Sequence, residues 1–331
     1  MIGYIVRRLI YMVVVIALIS IVAFIIIQLP PGDYLTGVID DLRNQGVAVS
    51  EELVELLGRQ FGLGLPLHRQ YLRWIGRIVF HGDFGRSMQY NRPVSHLIGD
   101  RISLTIIISL TTLVFTYAMA IPIGIYVATH QYSIGDYLWT LFGFVGLATP
   151  NFLLALILML FFFNVLNMDV GGLFSLEYQL QGWSIGKVWD LIKHLPIPVL
   201  VLGTAGTAGL IRVLRGTLLD ELSKAYVITA RAKGVRESRL VFKYPVRIAV
   251  NPIISQIGTL LPAIVSGATI TSIVLNLPTT GPLLYEALIS EDMYLAAGLL
   301  LILSTLGVVG TLISDILLAA IDPRIRFERR A

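Results

Sequence analysis

The sequence predicts an all-α integral membrane protein with six transmembrane helices. Three observations predict this class: the composition, six long apolar segments and the placement of the basic residues. Of the 331 residues, 56% are hydrophobic and only 14% are charged, whereas soluble domains are about half apolar and about a quarter charged. The mean hydropathy is +0.79. The chain therefore belongs in a bilayer, and its formal net charge of +4 gives no indication of a nucleic-acid partner.

Six segments are long enough to cross a membrane, because a bilayer core of about 30 Å requires about 20 apolar residues. They lie near residues 9–29, 101–129, 137–165, 197–215, 252–275 and 295–319. The first follows Arg7 and Arg8, as a signal peptide would, but it is longer than the usual apolar core of one, so we expect a permanent anchor. Prolines at positions 122, 150, 252 and 262 are expected to interrupt or bend spans.

The basic residues predict that both termini are cytoplasmic, because Lys and Arg in short segments beside a span favour that side. They occur at Arg7 and Arg8, between Arg212 and Arg247, and in the tail after Asp322. The segment from Asn276 to Tyr294 has three acidic residues and no Lys or Arg. This segment is therefore expected on the outer side.

A polar insert from about Asp33 to Asp100 is then extracytoplasmic. It should contain an amphipathic helix at residues 51–57, with Ser50 as its N-cap, and a second from Leu67 to Phe80. Residues 82–85, Gly-Asp-Phe-Gly, predict a turn before the chain returns to the membrane. The expected organisation is a transmembrane helix in residues 1–32, the insert in 33–100 and a five-helix core in 101–331.

A second outer loop is expected at about residues 167–195. It contains Trp183 and Trp189, and tryptophan is enriched where a protein crosses the membrane–water interface.

The sequence contains no constellation that would predict an enzyme. There is no cysteine, the five histidines lack metal-ligand spacing, and no metal site is predicted. Residues 82–85 have no lysine at the spacing of a phosphate-binding loop, so the chain is not expected to bind ATP. Asp315 is the main ionisable residue inside a span, where it is either hydrogen-bonded near the helix end or part of a proton relay.

Hydroxyl side chains in the second and fifth spans are candidates for lining a translocation path. The alternative is that they bond to their own helix or to a neighbouring one, at about 1 kcal/mol each. The candidates are Thr112, Thr116, Ser266, Thr269 and Thr271.

A basic segment with small side chains lies between the fourth and fifth spans. A four-residue spacing predicts one helix face made of Leu218, Leu222, Tyr226 and Ala230, beside a low surface made of Ala225, Thr229 and Ala232. A low surface would allow another backbone to approach closely. Gly234 is expected to end this helix in a left-handed cap. The alternative is a basic loop that sets the membrane topology and does nothing more.

The order Tyr-Val-Ile-Thr-Ala-Arg-Ala-Lys-Gly at residues 226–234, followed eighteen residues later by Pro252, resembles a known motif. It is the coupling motif of binding-protein-dependent ABC importer permeases, in the branch that carries dipeptides, oligopeptides and nickel. Other stretches resemble the same family, and the resemblance covers nearly the whole chain. These stretches are Gly3–Gln28, Phe61–Leu63, Gly82–Ser87, Gly281–Ala287 and Asp322–Ile325.

The resemblance implies the type I ABC importer permease fold, with the polar insert between helices 1 and 2. It implies that residues 216–250 hold a coupling helix, at about Leu222 to Leu240, that fits a cleft of a cytoplasmic ATPase. This chain departs from the family's wider motif at Ile228, where an acidic residue is usual. The residues expected to couple to the ATPase are Ala225, Tyr226, Thr229, Ala230, Arg231, Lys233 and Gly234.

The resemblance also implies the partners: a second permease, usually nonidentical in this branch, two ATPase subunits and an extracytoplasmic solute-binding protein. ATP and Mg²⁺ would be bound by the ATPases, and this chain would carry no cofactor. The insert would dock the binding protein, pack on the second permease or cap the outer end of the bundle.

The predicted function is therefore that of a permease subunit in the plasma or inner membrane. It would form the path for di- or oligopeptides, with oligosaccharides as the second choice. An alternative of another class is a stand-alone channel or ion-coupled carrier, for which buried charge or repeated broken helices would be expected.

Overall fold

The structure is a computed structural model, and it describes residues 2–28, 66–166, 171–267 and 269–321. The regular elements of this part of the chain are helices. In chain order they are α1 (Ile2–Gln28), α2 (Leu67–His81), α3 (Val94–Thr129), α4 (Ile134–Ala148), α5 (Asn151–Leu166), α6 (Leu176–Gln179), α7 (Ile185–His194), α8 (Pro196–Leu222), α9 (Ala225–Ala232), α10 (Glu237–Lys243), α11 (Pro245–Ala249), α12 (Asn251–Ser255), α13 (Ile257–Gly267), α14 (Thr269–Val274), α15 (Thr280–Ile289) and α16 (Met293–Ile321). The helix predicted at residues 51–57 and the tail motif from Asp322 to Ile325 lie outside the described residues.

Long apolar helices account for the predicted spans. Among the described residues, α1, α3, α8 and α16 are each long and apolar enough to cross a membrane, as is the run of short helices from Glu237 to Val265. A bent pair, α4 with α5, brings the number to six when it is counted as one span. By length and composition, the described residues therefore contain five candidate spans, or the predicted six if the bent pair is one span.

The third predicted span, residues 137–165, is not one straight helix. Its two halves, α4 and α5, are bent by 109°. Thr149 separates them in an extended conformation, with φ −86° and ψ 120°. The cause is Pro150, because a proline disfavours helical geometry at the residue before it.

The other prolines differ in their effect. Pro252 lies in the first turn of the short helix α12, where a missing N–H costs nothing. Pro122 and Pro262 lie inside α3 and α13, which continue through them without interruption. The fifth predicted span, residues 252–275, is divided among α12, α13 and α14.

The chain divides into two compact units. The larger unit consists of Met1–Leu9, Ile106–Pro278 and Val309–Ala331, and the smaller unit consists of Ile10–Thr105 and Thr279–Val308. The core of the larger unit joins α3 and α8 to the short helices α9–α12. Its fully buried side chains include Leu210, Leu214, Leu218, Val227, Leu240 and Ile253.

The smaller unit contains the second predicted helix of the insert. Leu67–Phe80 was expected and Leu67–His81 is observed as α2, so this prediction is confirmed. Trp74 is buried on the inner face of α2, with Tyr71, Ile75 and Ile78 packed beside it. Gly82, at φ +64°, ends α2 in a left-handed cap, and the predicted turn follows.

A buried carboxylate organises the start of α16 in the smaller unit. Asp292 is fully buried and accepts hydrogen bonds from the Ser87 hydroxyl at 2.5 Å and the Gln89 amide at 3.1 Å. It also accepts one from the amide of Leu295, at 3.2 Å, which makes it the N-cap of α16. The sequence indicated only that this acidic residue belongs to an outer segment.

Close packing of α3 on α8 gives a testable prediction. A Cβ atom at Gly124 would lie 2.8 Å from Cδ2 and 3.1 Å from Cβ of Leu214, which is fully buried. Gly124→Ala should therefore destabilise the protein by about 1–3 kcal/mol through overpacking. The control is Gly99→Ala in the same helix, where nothing lies within 4 Å and alanine should stabilise by up to about 1 kcal/mol. Titration with SDS measures both changes, and equal stability of the two variants would contradict this packing.

Candidate functional site

The basic segment forms a helix of its own, α9, and does not continue α8. The chain leaves α8 after Leu222, and Lys224 is extended at φ −69° and ψ 147° before α9 begins at Ala225. Leu218 therefore belongs to α8, whereas Tyr226 and Ala230 belong to α9. The predicted continuous face through these residues is wrong, because the backbone changes direction at Lys224.

One apolar side chain anchors α9 to the larger unit. Val227 is fully buried in the core cluster that also contains Leu240 of α10, and Ala230 packs against this cluster. Tyr226 is 37% exposed, and its hydroxyl donates a hydrogen bond to Glu221 at 2.5 Å. Val227 is thus the residue that defines the inner face of α9. The spacing had predicted a face through its neighbour Tyr226.

The predicted left-handed cap is confirmed. Gly234 has φ +74°, its amide donates to the Arg231 carbonyl at 3.0 Å, and the Val235 amide donates to the Ala230 carbonyl at 3.3 Å. This pair of bonds is a Schellman motif, which satisfies the last carbonyls of the helix. A residue with a Cβ atom would be strained at this φ.

The outer surface of α9 is formed mainly by small, uncharged side chains. Ala225, Thr229, Ala232 and Gly234 are exposed, and the Thr229 hydroxyl donates back to the Ala225 carbonyl at 2.8 Å, so it does not stand out from the helix. Ile228 is the large apolar side chain on this surface, at 57% exposure. In the sequence, Ile228 is notable only as a departure from the motif. Its exposure follows from its position on the outer side of the helix.

Basic side chains frame this surface. Arg231 donates to both carboxylate oxygens of Glu237, at 3.0 and 2.6 Å, and this hydrogen bonding raises the pKa of Arg231. Lys233, Arg236 and Arg239 are exposed. The segment therefore presents a small apolar surface bordered by positive charge, which suits a cleft with apolar walls and acidic edges.

An ion pair fixes α8 about two turns before the end of that helix. Arg215 of α8 donates to both carboxylate oxygens of Asp136 on α4, at 3.0 and 2.8 Å. The Asp136 side chain is only 4% exposed, and it also accepts from the Tyr132 amide at 3.1 Å. The sequence analysis missed this pair, although Ser133, the N-cap of α4, was a local signal for where Asp136 would sit.

The candidate path residues are distributed over three helices, α3, α13 and α14. Thr112 and Thr116 lie one turn apart on α3 and are buried, so they share a face. The Thr116 hydroxyl is 3.5 Å from the Gly203 carbonyl, and the Thr112 hydroxyl has no hydrogen-bond partner in the described part of the chain. Thr269 and Thr271 lie two positions apart on α14 and cannot share a face. Nothing is described of the Ser266 side chain.

Helices α3, α4 and α8 line an open cleft with a volume of about 120 Å³ in the larger unit. Its lining is apolar except for two threonines of α8, Thr204 and Thr207, and it includes Phe115, Trp139 and Phe142. No ionisable side chain lines it, so it offers no group for acid–base chemistry. Among the described residues, no cluster of three or more His, Cys, Asp or Glu could hold a metal ion.

Asp315 is paired. Its carboxylate lies 2.9 Å from the Arg8 guanidinium, with side chains 17% and 30% exposed. This contact favours the first reading from the sequence, a paired group near the helix end, over a proton relay.

Comparisons with known proteins match the whole length of the chain. Residues 120–327 match the family described as binding-protein-dependent transport system inner membrane component, and residues 1–111 match the N-terminal family of the same components. The chain is 36% identical to the oligopeptide transport system permease protein AppB of Bacillus subtilis, over 99% of this chain and 100% of that protein. It is 33% identical to a putative peptide permease protein of Brucella ovis, over 98% and 99%. It is also 29% identical to the glutathione transport system permease protein GsiC of Salmonella paratyphi A, over 99% and 100%.

Proposed function

We propose a specific role for this chain, which belongs to the family of binding-protein-dependent transport system inner membrane components. It is a multi-pass membrane protein with the helical fold of a type I importer permease. Permeases of this family are transport subunits without an ATP site, and they work with ATPases, a second permease and a binding protein. The proposed role is to form, with a nonidentical second permease, the membrane path for solutes that the binding protein delivers.

The proposed solutes are di- and oligopeptides. The support is that relatives named for oligopeptide, peptide and glutathione transport match the chain from end to end. Oligosaccharides remain the second choice, because selectivity in such systems rests largely on the binding protein.

The proposal that this chain couples to ATP hydrolysis rests on the surface of α9. Two ATPase subunits that close on ATP would move the α9 helices of two permeases together, and the spans would pass this movement to the outer gate as alternating access. The coupling residues proposed are those singled out in the sequence, with Ile228 added as the exposed apolar contact. The ATPases would bind ATP and Mg²⁺.

The proposed orientation places both termini and α9 in the cytoplasm. The Arg8–Asp315 contact joins the start of α1 to the last part of α16, which supports termini on one side of the membrane. The basic residues around α9 support that side as the cytoplasm.

The translocation path is proposed to run beside Thr112 and Thr116 of α3. The buried Thr112 hydroxyl, for which the described residues supply no partner, supports this assignment because such a group gains from a polar solute or water. Thr271 on α14 and Ser266 stay candidates, and Thr269 would then face elsewhere.

Uptake by the assembled transporter tests the proposed function. Proteoliposomes containing this chain, its second permease and two ATPases, with binding protein outside, should accumulate a labelled peptide only when ATP is inside. The control is the same assembly with an ATPase variant that cannot hydrolyse ATP. Uptake by this chain alone would indicate a carrier of another class, and uptake of oligosaccharide but not peptide would replace the proposed solute.

A further inference from the structure

Helix α7 buries two charged side chains and exposes most of its large apolar side chains. Lys187, Asp190 and Leu191 are buried, whereas Ile185 and Trp189 are 92% and 60% exposed. Val188 and Ile192, also exposed, complete an outward face at positions i, i+3, i+4 and i+7 of the helix. A helix that lies on a protein in water has the opposite arrangement.

Specific contacts hold α7 in this orientation. Asp190 accepts hydrogen bonds from the amide and the hydroxyl of Ser175, at 2.8 and 2.7 Å. Burial acts to raise the pKa of Asp190, but these two bonds together with the nearby charges of His194 and Lys193 outweigh it, and the pKa lies below its ordinary value. Lys187 donates to the Gln181 carbonyl at 2.5 Å, and its ammonium lies 4.8 Å from the centre of the Phe174 ring. Because the buried charges are satisfied, the outward direction of the apolar face is built into the fold.

The apolar surface extends beyond α7. Leu176, Leu180 and Trp183, in the segment before the helix, are 83%, 100% and 59% exposed. Together with the outward face of α7 they place seven large apolar side chains within residues 176–192 that stay 44–100% exposed among the described residues. Apolar area left in water costs about 25 cal/mol per Å², so this surface requires an apolar environment.

The position of α7 along the chain indicates what that environment is. Leu195 is both the C-cap residue of α7 and the N-cap residue of α8, and the span begins at Pro196. Helix α7 therefore ends where a membrane-spanning helix begins, which places it at the depth where that span enters the bilayer. Trp183 and Trp189 suit this depth, and the exposed Lys193 can reach the phosphates of lipid headgroups.

We propose that α7 is an interfacial helix that lies in the lipid leaflet opposite to α9, with its apolar face among the acyl chains. The two helices are on opposite sides because α8, with 27 residues, is about 40 Å long. Lipid is the occupant of the face, and the inward Lys187 and Asp190 hold the helix against residues 174–183. The proposal does not depend on the transported solute or on coupling to an ATPase.

Spin labels test the proposal, because the chain has no cysteine and single cysteines can be placed at will. Val188→Cys and Ile192→Cys would carry nitroxides on the outward face, in the complete transporter in lipid nanodiscs. Lys193→Cys is the matched control, since it lies about a quarter turn around the same helix. Power saturation would compare collision with oxygen, which concentrates in lipid, and with a water-soluble nickel chelate.

The proposal predicts that labels at 188 and 192 collide with oxygen several-fold more than with the nickel chelate, and that the label at 193 shows a clearly lower ratio. Dominant collision with the nickel chelate would place the face in water and overturn the proposal. Low collision with both would show that a protein, such as the second permease, covers it, and would also overturn the proposal.

If the labelled chains do not assemble, tryptophan fluorescence provides a second test. Lipids brominated near the headgroup should quench the tryptophan fluorescence of the unmodified chain more than that of the Trp189→Phe variant. Equal quenching of the two chains would contradict contact of Trp189 with lipid.

Discussion

Gly234→Glu is expected to abolish ATP-driven uptake while the chain remains in the membrane. Gly234 has φ +74°, where a residue with a side chain is strained by about 1–2 kcal/mol. Among the described residues, no atom lies within 4 Å of its Cβ position, so the added side chain would extend from the exposed end of α9. A bulky acid there would hold the ATPase away, and we expect uptake and ATPase binding to fall by at least about tenfold, a cost of about 1.4 kcal/mol.

The matched control is Gly82→Glu. Gly82 also ends a helix in the left-handed region, at φ +64°, and also has no atom within 4 Å of its Cβ position. The backbone strain should therefore be the same, but Gly82 lies in the insert, away from α9 in the sequence. Transport assays and co-purification of the ATPase compare the two variants at equal amounts in the membrane. Equal uptake by both would contradict a coupling role for the cap of α9.

Breaking the ion pair between α4 and α8 is expected to have the largest effect on stability. Arg215→Met would leave the carboxylate of Asp136 in a site where it is only 4% exposed. Removal of one member of a buried pair costs about 3–5 kcal/mol. Asp136→Asn should cost less, because Arg215 is 30% exposed and can still reach water. The free energy of unfolding, measured by SDS titration, should show this order.

Two controls distinguish the effect of losing the ion pair from the effect of changing either residue alone. The double variant of Asp136→Asn with Arg215→Met should be more stable than the sum of the single losses predicts, because no unpaired charge is left buried. The exposed pair of Arg231 and Glu237 has similar bidentate geometry, and Arg231→Met should leave unfolding unchanged. Strict additivity of the two losses at 136 and 215 would show that the pair does not act as a unit.

Local sequence signals predicted the local structure well. The helix at Leu67, the turn at residues 82–85, the glycine cap at 234 and the apolar spans depend on patterns within a few residues or within one helix, and physical rules apply to them directly. The break between α4 and α5 could have been predicted from Pro150, because a proline disfavours helical geometry at the preceding residue, here Thr149.

Long-range contacts explain what the sequence did not predict. The Asp136–Arg215 and Ser87–Asp292 contacts join residues far apart in the chain, and no local pattern pairs them. The separation of α9 from α8 at Lys224 has no glycine or proline to mark it. The burial of Val227 in the core decides where α9 starts and which side it faces. For residues 167–195 the sequence predicted only an outer loop, whereas the structure has the helices α6 and α7 there. The buried Lys187 and Asp190 show that the apolar side of α7 faces outward.

Photo-crosslinking from the centre of α9 tests the coupling claim most directly. A benzoylphenylalanine at position 228, in place of an isoleucine that is 57% exposed, would be irradiated in the assembled transporter during ATP turnover. The same probe at position 185 of α7, which is 92% exposed, is the control. We expect a covalent adduct with an ATPase subunit from position 228 and none from position 185. Adducts from position 228 only with lipid or with a permease, in an assembly that hydrolyses ATP and transports, would contradict the account.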